Sequence, residues 1–150
     1  MKITSLIGAG DRIMALALPA GVLGLAANAR WPAAFAMDLG VAGTAAGAVL
    51  LALGVPMWLG AVYLLLRLAP KGELITGGPF ALVLHPIYTS VALLVLPGVG
   101  LVFDSWLGFA VGLVLYAASR LFAPIEEREL AARFPRTYPE YRARVLLPWL

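Results

Sequence analysis

One long uncharged stretch constrains this chain more than any other feature. It runs for 28 residues, from Leu39 to Leu66, without an Asp, Glu, Lys or Arg. As a helix it would measure ~42 Å, whereas the hydrocarbon core of a bilayer is ~30 Å thick. The stretch is therefore predicted to span a membrane, with a tilt or with a kink at Pro56.

Two further uncharged stretches flank this one. The earlier, Ile13–Ala29, has 17 residues, which is just enough to span. The later, Leu74–Phe103, opens with Gly77-Gly78-Pro79, and this tripeptide is poor helix interior. We therefore predict that the third membrane helix begins only at about Pro86.

The last uncharged stretch, Ser105–Ser119, continues as an apolar segment past Arg120 to Ile125. Asp104 alone separates it from the third stretch, so the two are predicted to form a tight antiparallel hairpin.

Small residues recur at the spacing that lets membrane helices approach closely. Gly43 pairs with Gly47, and Gly108 pairs with Gly112. We expect these pairs to pack helices inside the monomer, and they leave the oligomeric state open.

Composition supports a membrane location. Hydrophobic residues make up 62% of the 150 residues and charged residues 13%, against about 45–50% and about 25% in soluble domains. We predict a single all-α integral membrane domain, 1–150, with about four transmembrane helices and a cytoplasmic, amphipathic, helical C-terminal cap. Ten of the 19 charged residues lie in that cap, between Arg120 and Arg144.

The basic residues predict the orientation. If both termini and the loop 67–73 face the cytoplasm, ten of the eleven basic residues fall inside and only Arg30 falls outside, as the positive-inside rule favours. The C-terminal cap, and any cofactor site formed with it, would then lie on the cytoplasmic side of an inner or cytoplasmic membrane. The ten inside residues are Lys2, Arg12, Arg67, Lys71, Arg120, Arg128, Arg133, Arg136, Arg142 and Arg144.

An alternative exists for the first stretch. Ala27-Asn28-Ala29 resembles a signal-peptidase site, whereas Asp11 and Pro19 argue against cleavage. Arg30 emerges outside in both cases, so the remaining topology is the same.

The chain has no Cys and a single His. Disulfides, thiolate ligands and a Cys nucleophile are therefore excluded, and no His cluster exists for zinc or copper. We expect no metal site and no nucleic-acid partner.

The segment Gly77–Tyr88 departs from the pattern of the spans. It combines a Gly pair, two prolines, a Tyr and the single His, His85. Irregular backbone at a membrane surface persists where protein or a watered cavity satisfies it, so the segment predicts the edge of a pocket. A plain loop and helix start, with Pro86 at the first helical position, is the structural alternative.

A second unusual segment begins at Pro124, which is predicted to lie in the first turn of a helix. Glu126–Glu127 would then favour the positive end of the helix dipole, which is a purely structural interpretation. Leu130 and Phe134 would share one face of that helix. Thr137–Glu140 fits a capping box and predicts that another short helix begins there.

Taken together, the two segments resemble a known family over about residues 70–150. The ordered set is Gly78-Pro79-Phe80-x-x-x-x-His85-Pro86-x-Tyr88, a hairpin of two spans, and Glu126-Glu127-x-x-Leu130-x-x-x-Phe134-x-x-x-Tyr138-x-x-Tyr141. It resembles the isoprenylcysteine carboxyl methyltransferase family, and the related phospholipid N-methyltransferases are similar.

The resemblance implies S-adenosylmethionine bound at the cytoplasmic face and a lipid-like or prenylated acceptor that arrives from the bilayer. The cofactor would contact Pro79, Phe80, His85, Pro86, Tyr88, Glu126, Glu127, Leu130, Tyr138 and Tyr141, and the catalytic residues would be His85, Arg120 and Glu127.

Elementary chemistry is consistent with this implication. Carboxylates and aromatic faces suit the sulfonium and the ammonium of the cofactor, and methyl transfer requires in-line alignment and exclusion of water rather than a metal. A carboxylate acceptor would need a cation such as Arg120 or Arg128. An amine acceptor would need a base, for which His85 is the candidate.

The chain differs from the family pattern at two positions. Leu84 stands where a basic residue usually precedes His-Pro, and Pro135 stands where Gly usually follows Phe134. The segment 122–125 also lacks a basic residue that many relatives have, and Arg120 is the candidate replacement. Two rival functions stay open: a non-enzymatic membrane bundle that retains the fold, and a sterol-reductase-like membrane oxidoreductase that binds a nicotinamide cofactor.

Overall fold

A computed structural model describes residues 10–150, with side chains from Arg12 onward. The described part is helical, with one isolated parallel bridge between Val83 and Leu147. Its α-helices are α1 (Gly10–Arg30), α2 (Pro32–Phe35), α3 (Gly40–Leu68), α4 (Pro79–Leu82), α5 (Pro86–Ser90), α6 (Leu96–Val102), α7 (Leu107–Arg133) and α8 (Thr137–Arg144). A 3₁₀ turn, Ala69–Lys71, follows α3, and a π-helical turn, Val91–Val95, joins α5 to α6.

The predicted spans correspond to helices of the structure. Among the described residues, α1, α3 and α7 are long and apolar enough to cross a membrane. The shorter apolar helix Pro86–Val102, called the central rod below, is formed by α5, the π turn and α6. Its 17 residues extend ~26 Å. The prediction of an all-α integral membrane fold is confirmed.

The central rod lies between two long helices. It packs against α3 on one side and against α7 on the other, and α1 packs against α7. Ile13 and Ala17 of α1 form a buried cluster with Ala92 of the rod and with Leu115 and Ala118 of α7. The predicted hairpin of the third and fourth spans is the contact between α6 and α7.

Glycines allow this close packing. A Cβ on Gly47 would lie 2.7 Å from the carbonyl oxygen of Gly98 in the rod. A Cβ on Gly108 or Gly112 of α7 would collide with a backbone carbonyl oxygen of the rod. Packing inside the monomer is therefore confirmed for these three glycines. For Gly43 it stays a prediction, because the three atoms nearest to its Cβ position all belong to Leu39, directly before its own helix.

The π turn in the rod was not predicted. Pro97 has no N–H to donate to the carbonyl of Leu93, so the α-helical ladder is broken within the segment Val91–Val95. A π turn accommodates such a break without ending the helix.

A polar clamp joins the helix ends far from residues 73–85. Asp104, between α6 and α7, accepts hydrogen bonds from the backbone N–H of Asp38 at 3.2 Å and of Leu39 at 3.5 Å. Trp106 stacks at a tilt on Phe35, with ring centroids 5.2 Å apart. The turn of the hairpin is thereby fixed to the start of α3.

Asp104→Ala is expected to lower the free energy of unfolding by ~1–2 kcal/mol, because a carboxylate that caps backbone N–H groups at a helix start is lost. The residue also has φ +52°, which Ala tolerates poorly. Thermal unfolding in detergent measures the change. Asp104→Asn is the matched control, since Asn keeps an acceptor and adopts positive φ readily, and a Tm as low as that of the Ala variant would contradict the capping role.

Two predictions for the C-terminal segment are wrong. Pro124 lies inside α7, which continues to Arg133, so Glu126 and Glu127 do not face a helix N-terminus. The predicted short helix does begin at Thr137, but the capping box does not form, because Arg136 is the N-cap, in an αR conformation without a side-chain cap. In the first turn of α8, the N–H of Tyr138 donates to the carbonyl of Phe134 at 2.9 Å.

The helices α1, α3 and α7 and the central rod alternate in direction, which separates two ends of the bundle. Arg30, at the end of α1, lies at the end that Asp104 clamps, where Asn28 accepts a hydrogen bond from Ser105 at 2.9 Å. The opposite end holds the C-terminus of α3, the start of the rod, the C-terminus of α7 and α8. Lys2 falls outside the described residues.

Candidate functional site

A pocket lies at the end of the bundle opposite Arg30, where the end of α3, the loop after it, α4, the start of the rod, α7 and α8 meet. Its walls combine apolar, aromatic and acidic side chains. They come from Leu65, Ala69, Glu73, Leu74, Ile75, Phe80, Leu84, His85, Glu126, Glu129, Leu130, Arg133, Phe134, Tyr138 and Tyr141.

The turn before the rod positions His85. Because Pro86 follows it, His85 is excluded from the α region and adopts φ −122° and ψ 62° as the residue that precedes α5. Pro86 occupies the first helical position, as predicted. The His85 side chain is 8% exposed. Its Nδ1 lies 3.8 Å from Glu126 Oε2, and its Nε2 lies 3.5 Å from Glu127 Oε1.

The two adjacent glutamates have different surroundings. Glu126 lines the pocket, and its side chain is 35% exposed. Glu127 is 16% exposed and does not line the pocket, and its Oε2 forms an ion pair with Nη1 of Arg142 at 2.7 Å. Of the two, Glu126 therefore has the carboxylate that is accessible from the pocket, while Glu127 is paired with Arg142.

The segment after α7 closes one side of the pocket. Tyr141 donates a hydrogen bond to the carbonyl of Phe80 at 2.9 Å. The N–H groups of Leu146 and Leu147 donate to the carbonyls of Ala81 and Leu82 at 3.1 and 2.9 Å. These bonds attach α8 and the following residues to α4, which places Tyr138 and Tyr141 in the pocket wall.

Both tyrosines remain protonated at neutral pH and so can donate hydrogen bonds. Burial raises the pKa of Tyr138 to about 12, and the negative charge of Glu127 contributes to the rise. Burial also raises the pKa of Tyr141 above its usual value, and its hydroxyl is the donor to Phe80.

The shifted pKa of Tyr138 predicts how stability depends on alkaline pH. The phenol of the unfolded chain loses its proton near pH 10, whereas the folded protein keeps it until about pH 12. The unfolded state then binds fewer protons, so the free energy of unfolding falls as the pH rises from 10 to 12. Thermal unfolding across this range measures the fall. The stability of Tyr138→Phe should decrease less steeply with pH than that of the wild type. Equal slopes would contradict the shift.

The structure brings six of the ten residues proposed to contact the cofactor to the pocket wall. These are Phe80, His85, Glu126, Leu130, Tyr138 and Tyr141. The prediction that Leu130 and Phe134 share a docked face is confirmed, since both pack on the buried cluster of Leu84, Tyr138, Tyr141 and Val145.

The other four proposed cofactor contacts do not line the pocket. Glu127 lies between His85 and Arg142. Pro79 faces Gly60 of α3. Pro86 is fully buried, and Tyr88 packs against the cluster that α1 and α7 form. Arg120, proposed as catalytic, is exposed on α7, two turns before Glu127.

Several lining residues were not predicted. Glu129 and Arg133 follow Glu126 at helical spacing on α7, so the same spacing in the helix predicted after Pro124 would have identified them. Glu73 and Ile75 reach the pocket because the loop after α3 folds back over it, and no local pattern in the sequence indicates this.

The structure explains both departures from the family pattern. Leu84 is 6% exposed and packs in one buried cluster with Tyr138 and Tyr141, so a long apolar side chain fits this position. Pro135 excludes Phe134 from the helical region, with φ −126° and ψ 62°. It therefore ends α7 and begins the turn to α8.

Comparison with known proteins identifies the family. A family model described as phospholipid methyltransferase matches residues 33–137, which is more than two thirds of the chain and includes the rod and all of α7. The curated proteins and the solved structures gave no significant match. The matched segment contains His85, Glu126 and Glu127, and the chain belongs to the phospholipid methyltransferase family of integral membrane methyltransferases.

Proposed function

We propose that the protein transfers a methyl group from S-adenosylmethionine to a lipid-like acceptor at the pocket of His85 and Glu126. The observation that carries the proposal is the meeting of carboxylates, aromatic rings and an apolar wall at one end of a membrane bundle. Members of the phospholipid methyltransferase family generally use this cofactor, which supports the assignment.

The side chains of the pocket fit the charges of this cofactor. Glu73, Glu126 and Glu129 contribute carboxylates to the wall, against one guanidinium, that of Arg133. An acidic wall suits a ligand with a sulfonium and an ammonium group. The rings of Phe80, Tyr138 and Tyr141 add faces that attract cations and apolar surface for an adenine.

The bound cofactor would supply an electrophilic methyl group, and the protein would supply alignment and a dry site. Tyr138, Tyr141 and the apolar wall exclude water, and Glu126 holds the cationic part of the ligand in place. An amine acceptor must lose a proton, which His85 can accept at Nδ1, since Nε2 faces Glu127. A carboxylate acceptor needs no base and would be positioned by a cation such as Arg120 or Arg128.

We further propose that the pocket faces the cytoplasm. The pocket end of the bundle holds the end of α3 with Arg67, the following turn with Lys71, and the end of α7 and α8 with most of the C-terminal arginines. Arg30 lies at the other end. The positive-inside rule then supports a cytoplasmic site.

Incubating membranes with methyl-labelled S-adenosylmethionine tests the proposed reaction. We expect label in the lipid fraction of membranes that contain the protein, and background label with His85→Ala. Treating the labelled lipid with alkali distinguishes the acceptors, because a methyl ester releases volatile methanol and an N-methyl group stays with the lipid. Binding of a nicotinamide cofactor, or no transfer to any lipid by folded protein, would contradict the proposal.

A further inference from the structure

Arg142 lies outside the pocket, yet it makes a short ion pair with a residue beside it. Its Nη1 lies 2.7 Å from Oε2 of Glu127, and the other oxygen of that carboxylate lies 3.5 Å from Nε2 of His85. Arg142 belongs to α8, beyond the segment that the family model matches. We propose that Arg142 is a positioning residue, which holds Glu127 so that Glu127 orients the His85 ring beside Glu126. That this positioning affects catalysis rests on the proposed function.

The two carboxylate oxygens of Glu127 face different residues, Oε1 facing His85 and Oε2 facing Arg142. Glu127 lies on α7, His85 before α5 and Arg142 on α8, so three separate elements meet at one carboxylate. With Oε2 fixed by a charge-assisted contact, Oε1 is directed at the imidazole. Tyr138 also hydrogen-bonds to this carboxylate, but Arg142 is its charged partner at 2.7 Å. Without Arg142, the carboxylate would lose that charge-assisted contact, and its alignment with Nε2 of His85 would loosen.

The fold has other means of holding α8 in place. Tyr141 is bonded to Phe80, and Leu146 and Leu147 are bonded to the backbone of α4. Tyr138, Tyr141 and Val145 are also buried against Leu84. Loss of the Arg142 side chain should therefore leave the helix docked and affect the Glu127–His85 pair.

The same helix provides a matched control. Arg144 is 80% exposed, and it lies 3.9 Å from Glu140, which is 68% exposed. An ion pair of this kind contributes little. Arg144→Gln makes the same chemical change as Arg142→Gln, two residues further along, without touching Glu127.

Because His85 is the single histidine, ¹⁵N-histidine labelling reports on its ring alone, without any ligand. In detergent, we expect Arg142→Gln to shift the Nε2 resonance of His85 in the direction produced by Glu127→Gln. Arg142→Lys should restore much of the wild-type shift, and Arg144→Gln should leave it unchanged. An unchanged Nε2 resonance in folded Arg142→Gln would overturn the inference, whether or not the protein binds the cofactor.

Cofactor affinity gives a second readout. We expect Arg142→Gln to weaken S-adenosylmethionine binding about fivefold, and to add little in a Glu127→Gln background, because residues that act through one another are not additive. If the double variant lost affinity by the product of the two single fold-losses, positioning through Glu127 would be contradicted. If the wild type fails to bind, the proposed function fails, and the ring resonances still decide the role of Arg142.

Discussion

Glu126→Gln is expected to weaken the binding of S-adenosylmethionine at least about tenfold, because a hydrogen bond to a charged group contributes ~1.5–3 kcal/mol. Glu126 lines the pocket, whereas its neighbour Glu127 is engaged by Arg142 and His85. The Gln side chain has nearly the same shape, so the variant removes the negative charge and little else.

Isothermal titration of the detergent-solubilised protein measures this change. Glu140→Gln is the matched control, because Glu140 is 68% exposed on α8 and does not line the pocket. We expect that control to bind as the wild type does. Equal affinities for Glu126→Gln and wild type, in protein with an unchanged Tm, would show that Glu126 does not contact the ligand.

Gly108→Ala is expected to destabilise the fold severely, by ~3 kcal/mol or more, since overpacking a close contact forces the backbone to move. The added Cβ would collide with the carbonyl oxygen of Leu96 and lie 2.7 Å from Cα of Gly100. Both are backbone atoms, which cannot turn away as a flexible side chain could. The rod and α7 would have to separate.

Gly21→Ala is the matched control for this substitution. A Cβ on Gly21 would lie 4.0 Å from Val111, which is an ordinary contact, and Ala favours a helix over Gly by up to about 1 kcal/mol. Thermal unfolding in detergent should therefore show a large loss for Gly108→Ala and none for Gly21→Ala. Similar Tm values for the two variants would contradict the packing of the rod on α7.

The spans could be predicted because a bilayer imposes a simple rule on sequence. A helix in lipid must be long and uncharged, and the four stretches without charges correspond to α1, α3, the rod and α7. The start of the rod was also predictable, because Gly77-Gly78-Pro79 disfavours a helix and Pro86 suits its first turn. The π turn depends on how the backbone adapts around Pro97, and the spacing of apolar residues does not record this.

Proline misled the prediction at Pro124. Proline costs a helix one hydrogen bond and a clash, which made a new helix start reasonable. The helix continues, with Ala123 buried beside that residue and Arg128 bonded to its carbonyl at 3.2 Å. Contacts on both sides of Pro124 thus outweigh its local preference. The capping box of Thr137 failed because Thr137 is already the first residue of α8, and the N-cap position is taken by Arg136 in an αR conformation.

Half of the site could be predicted from motifs and half could not. Spacing on α7 places Glu126 and Leu130 on one face, and the hairpin brings His85 to the same end of the bundle. The contribution of Glu73 depends on the path of a loop, and that of Arg142 on the position at which α8 docks. These are properties of the folded chain rather than of any short segment.

Binding of S-adenosylmethionine to the wild-type protein is the measurement that tests the central claim most directly. Titration into folded protein in detergent should give saturable binding at one site per chain, with a dissociation constant below millimolar and competition by S-adenosylhomocysteine. Folded protein that takes up no cofactor at millimolar concentration would contradict a methyl-donor site between His85 and Glu126.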